Sequence, residues 1–196
     1  VNRPPPRLAV LGSGRGSNFV ALHQAIAAGR LNAEIALVVS DLPEAPILER
    51  ARAFGLPAAA LPPSPFRTKL GPDAETALLD LLRGASVDWI ILAGYMRVVK
   101  EPLLAAYPGR VINIHPSLLP AFRGLRAWEQ ALAAGATETG CTVHFVNAEI
   151  DAGKIIAQQR VPILRGDTPD TLHARIQAAE HELFPRALAE VFRRAG

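Results

Sequence analysis

Cysteine is almost missing from this chain: Cys141 stands alone among 196 residues. One cysteine excludes an internal disulfide and fits a reducing compartment. Long hydrophobic runs are missing too, because the best of them, residues 87–96, falls far short of the roughly 20 apolar residues of a membrane span. The N-terminus, Val1-Asn2-Arg3-Pro4-Pro5-Pro6, has no apolar core of a secretion signal and reads as a frayed lead-in. Neither charge dominates. With a net charge of +3, a polyanion is permitted as partner but not demanded, and no nucleic acid is expected. Low-complexity tracts and internal repeats are absent. What is present, 49% apolar and 20% charged residues, describes a soluble globular chain. One domain over residues 1–196, in the cytoplasm, is the expectation.

Apolar runs alternate with amphipathic stretches. Strands are expected at residues 8–11, 33–39, 57–61, 89–92 and 111–114. Helices are expected from Phe19 to a stop at Gly29, at 46–54 with Gly55 as cap, at 73–83 with Asp73 as N-cap, and briefly at 102–107. Near-continuous apolar strands such as Ile35, Leu37, Val38 and Val39 mark a parallel sheet buried on both faces. The implied class is α/β, an open, doubly wound, mostly parallel sheet with helices on both faces. Beyond residue 114 the pattern predicts a helix at 125–134, strands at 142–146 and 155–161, and a closing helix at 171–194 broken by Pro185.

Gly12-Ser13-Gly14-Arg15-Gly16-Ser17-Asn18 lies between the first strand and the first helix, where amides at a helix N-terminus make an anion site. It is neither G-x-G-x-x-G nor a Walker loop, since the third glycine comes early and no Gly-Lys-[Ser/Thr] follows. Ser17 and Asn18 add side-chain donors and suit a compact phosphate. Asp41, ending the second strand, is placed to hold a ribose and keeps a dinucleotide reading open.

Asn113 and His115 stand on one side of the fifth strand, because strand side chains alternate with period 2. Pro116 then ends the ladder. An amide donor beside an imidazole where a strand runs out is where open α/β sheets bind ligands. Asp151, in the turn Glu149-Ile150-Asp151-Ala152-Gly153, can reach the imidazole and raise its pKa. An imidazolium is a good donor to an oxygen that gains charge. On its own, Asp151 also reads as an ordinary Asp-x-Gly turn residue.

Asn113-Ile114-His115-Pro116-Ser117-Leu118-Leu119-Pro120, followed by Ile150-Asp151-Ala152-Gly153, resembles the folate-dependent formyltransferases. The resemblance runs from Leu8 to the closing helix. It implies a Rossmann-like formyltransferase fold and formyl transfer from 10-formyltetrahydrofolate, as co-substrate, to the amine of glycinamide ribonucleotide, without a metal. It makes Asn113, His115 and Asp151 the catalytic trio: His115 as general acid, Asn113 as donor to the formyl oxygen, Asp151 raising the imidazole pKa. It assigns Met96, Arg97, Val98 and Val99, partly through backbone groups, to the folate together with Asn113 and, through a gapped match, Lys69. Gly16, Ser17 and Asn18 fall to the substrate phosphate, and Glu180 to its ribose or amine. A homodimer is left open.

The chain departs from the family's Pro-Gly-Leu-His-Ala at Arg123-Gly124-Leu125-Arg126-Ala127, where Arg126 replaces a histidine and Arg123 is similar to the Arg-Gly step of methionyl-tRNA formyltransferases. Those enzymes carry a C-terminal domain and the formyltetrahydrofolate hydrolases an N-terminal one. The bare length therefore points to glycinamide ribonucleotide. A hydrolase of the same folate, another amine acceptor, and a non-catalytic nucleotide-binding module are the alternatives. Cys141 is expected to be a small buried residue, and His144 is read as packed or as supporting the site.

Overall fold

The computed structural model describes residues 4–195, so Val1, Asn2 and Arg3 of the expected lead-in lie outside the described residues. Seven strands form one sheet: β1 (Arg7–Leu11), β2 (Glu34–Ser40), β3 (Ala58–Ala60), β4 (Trp89–Leu92), β5 (Val111–His115), β6 (Glu138–Phe145) and β7 (Ile155–Pro162). Their spatial order is β3-β2-β1-β4-β5-β6-β7. The pairs from β3 to β5 are parallel, and β6 runs antiparallel to both β5 and β7, so β6 alone opposes the rest.

Strand order reverses at β1, with β2 on one side and β4 on the other, which opens a crevice at the carboxyl ends of β1 and β4. The helices are α1 (Ser17–Ala27), α2 (Pro46–Ala53), α3 (Pro72–Gly84), α4 (Leu103–Ala106), α5 (Ala127–Ala133) and α6 (Pro169–Ala195). Alternate strand residues face two cores. Leu8, Val10, Ile112 and Val143 pack with Phe19 of α1, Ile47 of α2 and Phe184 of α6. Ala9, Leu11, Leu37 and Ile90 pack with Leu78 and Leu82 of α3 and Leu103 of α4 on the other face.

Four expectations are corrected. Helix α6 is continuous through Pro185. Lacking an N–H, that proline costs the helix roughly 3 kcal/mol. Burial of Leu183, Phe184 and Leu188 offsets it, at about 1.5–3 kcal/mol each. Asp73 is not the cap of α3: Gly71 occupies that place, Pro72 follows at the first helical position, and Asp73 joins the acidic first turn, where it suits the helix dipole. Helix α5 starts at Ala127 rather than Leu125, because Arg126 sits in the left-handed region at φ 54°. Strand β6 begins at Glu138, since turn-like Thr139 and Gly140 pair with Val161 and Arg160 of β7.

Candidate active site

The glycine loop closes on the crevice. Gly16, at φ +73°, caps α1, and a Cβ there would stand 2.7 Å from the Ile47 side chain. No side chain caps α1, so the N–H groups of its first turn remain for a ligand or water. Ser13 turns inward instead. Its N–H donates to the Gly94 carbonyl at 3.0 Å and its hydroxyl to Asp41 Oδ1 at 2.5 Å.

Asn18 and Glu180 come together although 162 positions separate them. Asn18 Nδ2 donates to Glu180 Oε2 at 2.9 Å. Both are buried, and Asn18 Oδ1 has no protein partner. The expected Asn18 donor is therefore engaged by a carboxylate. Burial pushes the Glu180 carboxyl up to about 7, against the pull of the Asn18 hydrogen bond. Between its ordinary value of 4.5 and about 7, the folded chain keeps a proton that the unfolded chain has lost. Rising pH through that window thus removes stability, up to about 3 kcal/mol. Glu180→Gln is expected to melt higher than the parent at pH 8 and nearly level with it at pH 4.5, as read by thermal denaturation across pH.

On the other wall, Met96 is exposed, Val98 half-buried and Val99 buried in the α3 core. Arg97 Nε donates to Asp41 Oδ2 at 2.6 Å and its Nη1 to the Phe66 carbonyl at 2.5 Å. The Asp41 carboxylate thus takes one donor on each oxygen from Ser13 and Arg97 and is buried, so it is turned to the protein rather than to a ribose as expected. Lys69 is exposed, with its ammonium 4.3 Å from the Phe66 ring centre, and its backbone bridges to Val98.

Asn113, His115 and Asp151 meet at the end of β5. Antiparallel pairing sets His144 opposite Asn113 and Thr142 opposite His115. His115 is buried, with Nδ1 3.4 Å from Asp151 Oδ2 and Nε2 2.9 Å from the Phe122 carbonyl, which can only accept. The Asp151 carboxylate also receives the Gly124 N–H at 2.9 Å. Asp151 adopts φ 50°, a conformation an aspartate tolerates. Two residues on, a Cβ at Gly153 would stand 1.6 Å from the Phe145 carbonyl oxygen, so only glycine seats this turn against β6.

His144 has a definite role in this geometry. Its Nδ1–H donates to the Phe145 carbonyl at 2.9 Å, which leaves Nε2 to accept from Asn113 Nδ2 at 3.1 Å. Burial lowers the His144 pKa, in keeping with the neutral ring this pattern requires. One Asn113 N–H is thereby engaged and the second is free. Thr142 is saturated: its hydroxyl donates to the Ser117 carbonyl at 2.7 Å and accepts from Leu119 N–H at 3.0 Å and Gln158 Nε2 at 2.9 Å. It pins the loop that carries Phe122. The period-2 spacing of Thr142 and His144 was the available signal for both, but only the register with β5 assigns their partners.

Arg126 is exposed and paired with Glu129, its neighbour in α5, at 2.6 Å. Cys141 is fully buried, and burial, then the Glu180 charge, pushes its thiol up to about 12. Among the described residues, no cluster of His, Cys, Asp and Glu could hold a metal ion, and no helix is long and apolar enough to cross a membrane.

Fold and site together define a Rossmann-like α/β protein with an Asn–His–Asp cluster beside the crevice where its strand order reverses. A sequence profile described as formyl transferase matches residues 6–188, and the chain belongs to that family. It is 43% identical over 185 residues to the phosphoribosylglycinamide formyltransferase of Bacillus subtilis (strain 168), covering 94% of each chain. It is 48% identical over 191 residues to the trifunctional purine biosynthetic protein adenosine-3 of Drosophila pseudoobscura pseudoobscura; this covers 96% of the chain but 14% of that longer protein. The crystal structure of glycinamide ribonucleotide transformylase 1 from Symbiobacterium toebii superposes with a TM-score of 0.91 at 45% identity, over 97% of this chain and 89% of that one.

Proposed function

We propose that this chain transfers the formyl group of 10-formyltetrahydrofolate to the amine of glycinamide ribonucleotide, a step of purine biosynthesis. The observation that carries this reading is the convergence of Asn113, His115 and Asp151 at the end of β5, next to the strand that leads into the 92–99 segment, in a chain so similar to named enzymes of that reaction. The phosphate sits on the first-turn amides of α1, at Gly16, Ser17 and Asn18. Glu180 lies behind them, for the ribose or the amine. The folate lies along Met96, Arg97, Val98 and Val99, with Lys69 beside them.

The amine attacks the formyl carbon, and the carbonyl oxygen becomes an oxyanion. The free N–H of Asn113 donates to it, and so does His115 Nε2–H once it exchanges the Phe122 carbonyl for the oxyanion. The carbon–nitrogen bond to the folate then breaks, His115 protonates the departing nitrogen, and the proton of the attacking amine leaves to solvent. Asp151 supplies the negative charge opposite Nδ1 that the imidazolium matches. No covalent enzyme intermediate is involved.

The test is an assay with 10-formyltetrahydrofolate, with and without glycinamide ribonucleotide. Formyl loss that needs the amine supports transfer; formyl loss to water alone would make the chain a hydrolase. Cys141→Ala should leave turnover within a few fold, because a thiol held that far from ionisation is no nucleophile. A formyl group trapped on Cys141 would overturn the direct mechanism.

A further inference from the structure

The geometry points to Asp41 as a positioning residue that ties the phosphate loop to the folate segment, so that the two substrate sites are held as one unit. This rests on the assignment of those two loops given above. Asp41 directly follows β2 and is buried, and its two oxygens take donors from different loops. Oδ1 receives the Ser13 hydroxyl of the glycine loop at 2.5 Å, and Oδ2 receives Arg97 Nε of the 92–99 segment at 2.6 Å. Ser13 closes the link a second time, since its Oγ accepts the Met96 N–H at 2.9 Å.

Arg97 extends the strut to a third loop, because Nη1 donates to the Phe66 carbonyl at 2.5 Å, and the Val98 N–H donates to the Thr68 carbonyl beside it at 2.8 Å. Loops after β1 and β4 thus meet on one carboxylate that follows β2, and the loop after β3 is tied to it through Arg97. Charge-assisted hydrogen bonds of this length, shielded from water, are the strong ones. The Arg97 side chain is 13% exposed and the Asp41 side chain 4% exposed, so neither partner has ready solvent as a substitute. The guanidinium is consequently a clamp on the folate segment, and what Arg97 offers a ligand is its backbone.

Asp41→Asn keeps an acceptor for Ser13 and removes the charge facing Arg97. Amide hydrogen exchange of the ligand-free protein should show Met96 and Val98 exchanging roughly tenfold faster or more, as local opening becomes easier. KM should rise for both substrates, roughly tenfold or more, where a damaged single site would raise one alone. In the double-mutant cycle with Arg97→Met, the two effects should fall well short of additive. Ser13→Ala is the second variant. It leaves no buried cation unpaired and should speed exchange at Met96 in the same direction.

Unchanged exchange at Met96 and Val98, or a KM effect confined to one substrate, would overturn the strut. If the parent protein shows no formyl transfer at all, the functional reading fails separately, and the exchange arm still decides whether Asp41 holds these loops.

Discussion

Asp151→Asn is expected to lower turnover roughly a hundred-fold or more, within the range of acid–base catalysis, and to leave folate affinity little changed. The substitution keeps the shape of the side chain, and asparagine tolerates the left-handed backbone as well as aspartate does. Its amide oxygen can still accept the Gly124 N–H, which the carboxylate receives at 2.9 Å. What disappears is the negative charge 3.4 Å from His115 Nδ1. His115 Nδ1 then faces a neutral amide in place of a carboxylate, and the proposed acid loses the charge opposite it. Steady-state kinetics beside a thermal melt separates this from unfolding. Parent-like turnover would return Asp151 to the status of a turn residue.

The second large effect belongs to Asn113. Asn113→Ala removes the donor that the proposed reaction aims at its oxyanion, and losses of that kind are about a hundred- to a thousand-fold in kcat. KM should move far less, because the charge it meets exists chiefly in the transition state. The substitution also deprives His144 Nε2 of the N–H it accepts at 3.1 Å. Single-turnover rates with both substrates saturating are the measurement. A fall in kcat below tenfold would remove Asn113 from the chemistry.

The parallel half of the sheet was legible because its strands are buried on both faces and declare themselves as apolar runs, Trp89-Ile90-Ile91-Leu92 above all. His115 and Asn113 were legible from alternation and from the proline that follows them. Asp41 was not: its partner Arg97 is 56 positions away, and an acid at the end of a second strand reads equally well as a ribose ligand. The role of His144 was hidden for a related reason, since strand pairing and not local pattern puts it opposite Asn113. Pro185 misled because local propensity was outweighed by the packing of its neighbours.

The Phe122 carbonyl has a kinetic meaning. Phe122 is a bulky residue at φ 54°, a conformation that costs an ordinary side chain about 1–2 kcal/mol, and from it the carbonyl accepts a hydrogen bond from His115 Nε2–H. At rest, the acid of the proposed reaction is already occupied by the protein itself. In the proposed reaction this N–H can turn to the formyl oxygen only by giving up the Phe122 carbonyl, so one hydrogen bond of the protein is exchanged for one of the transition state.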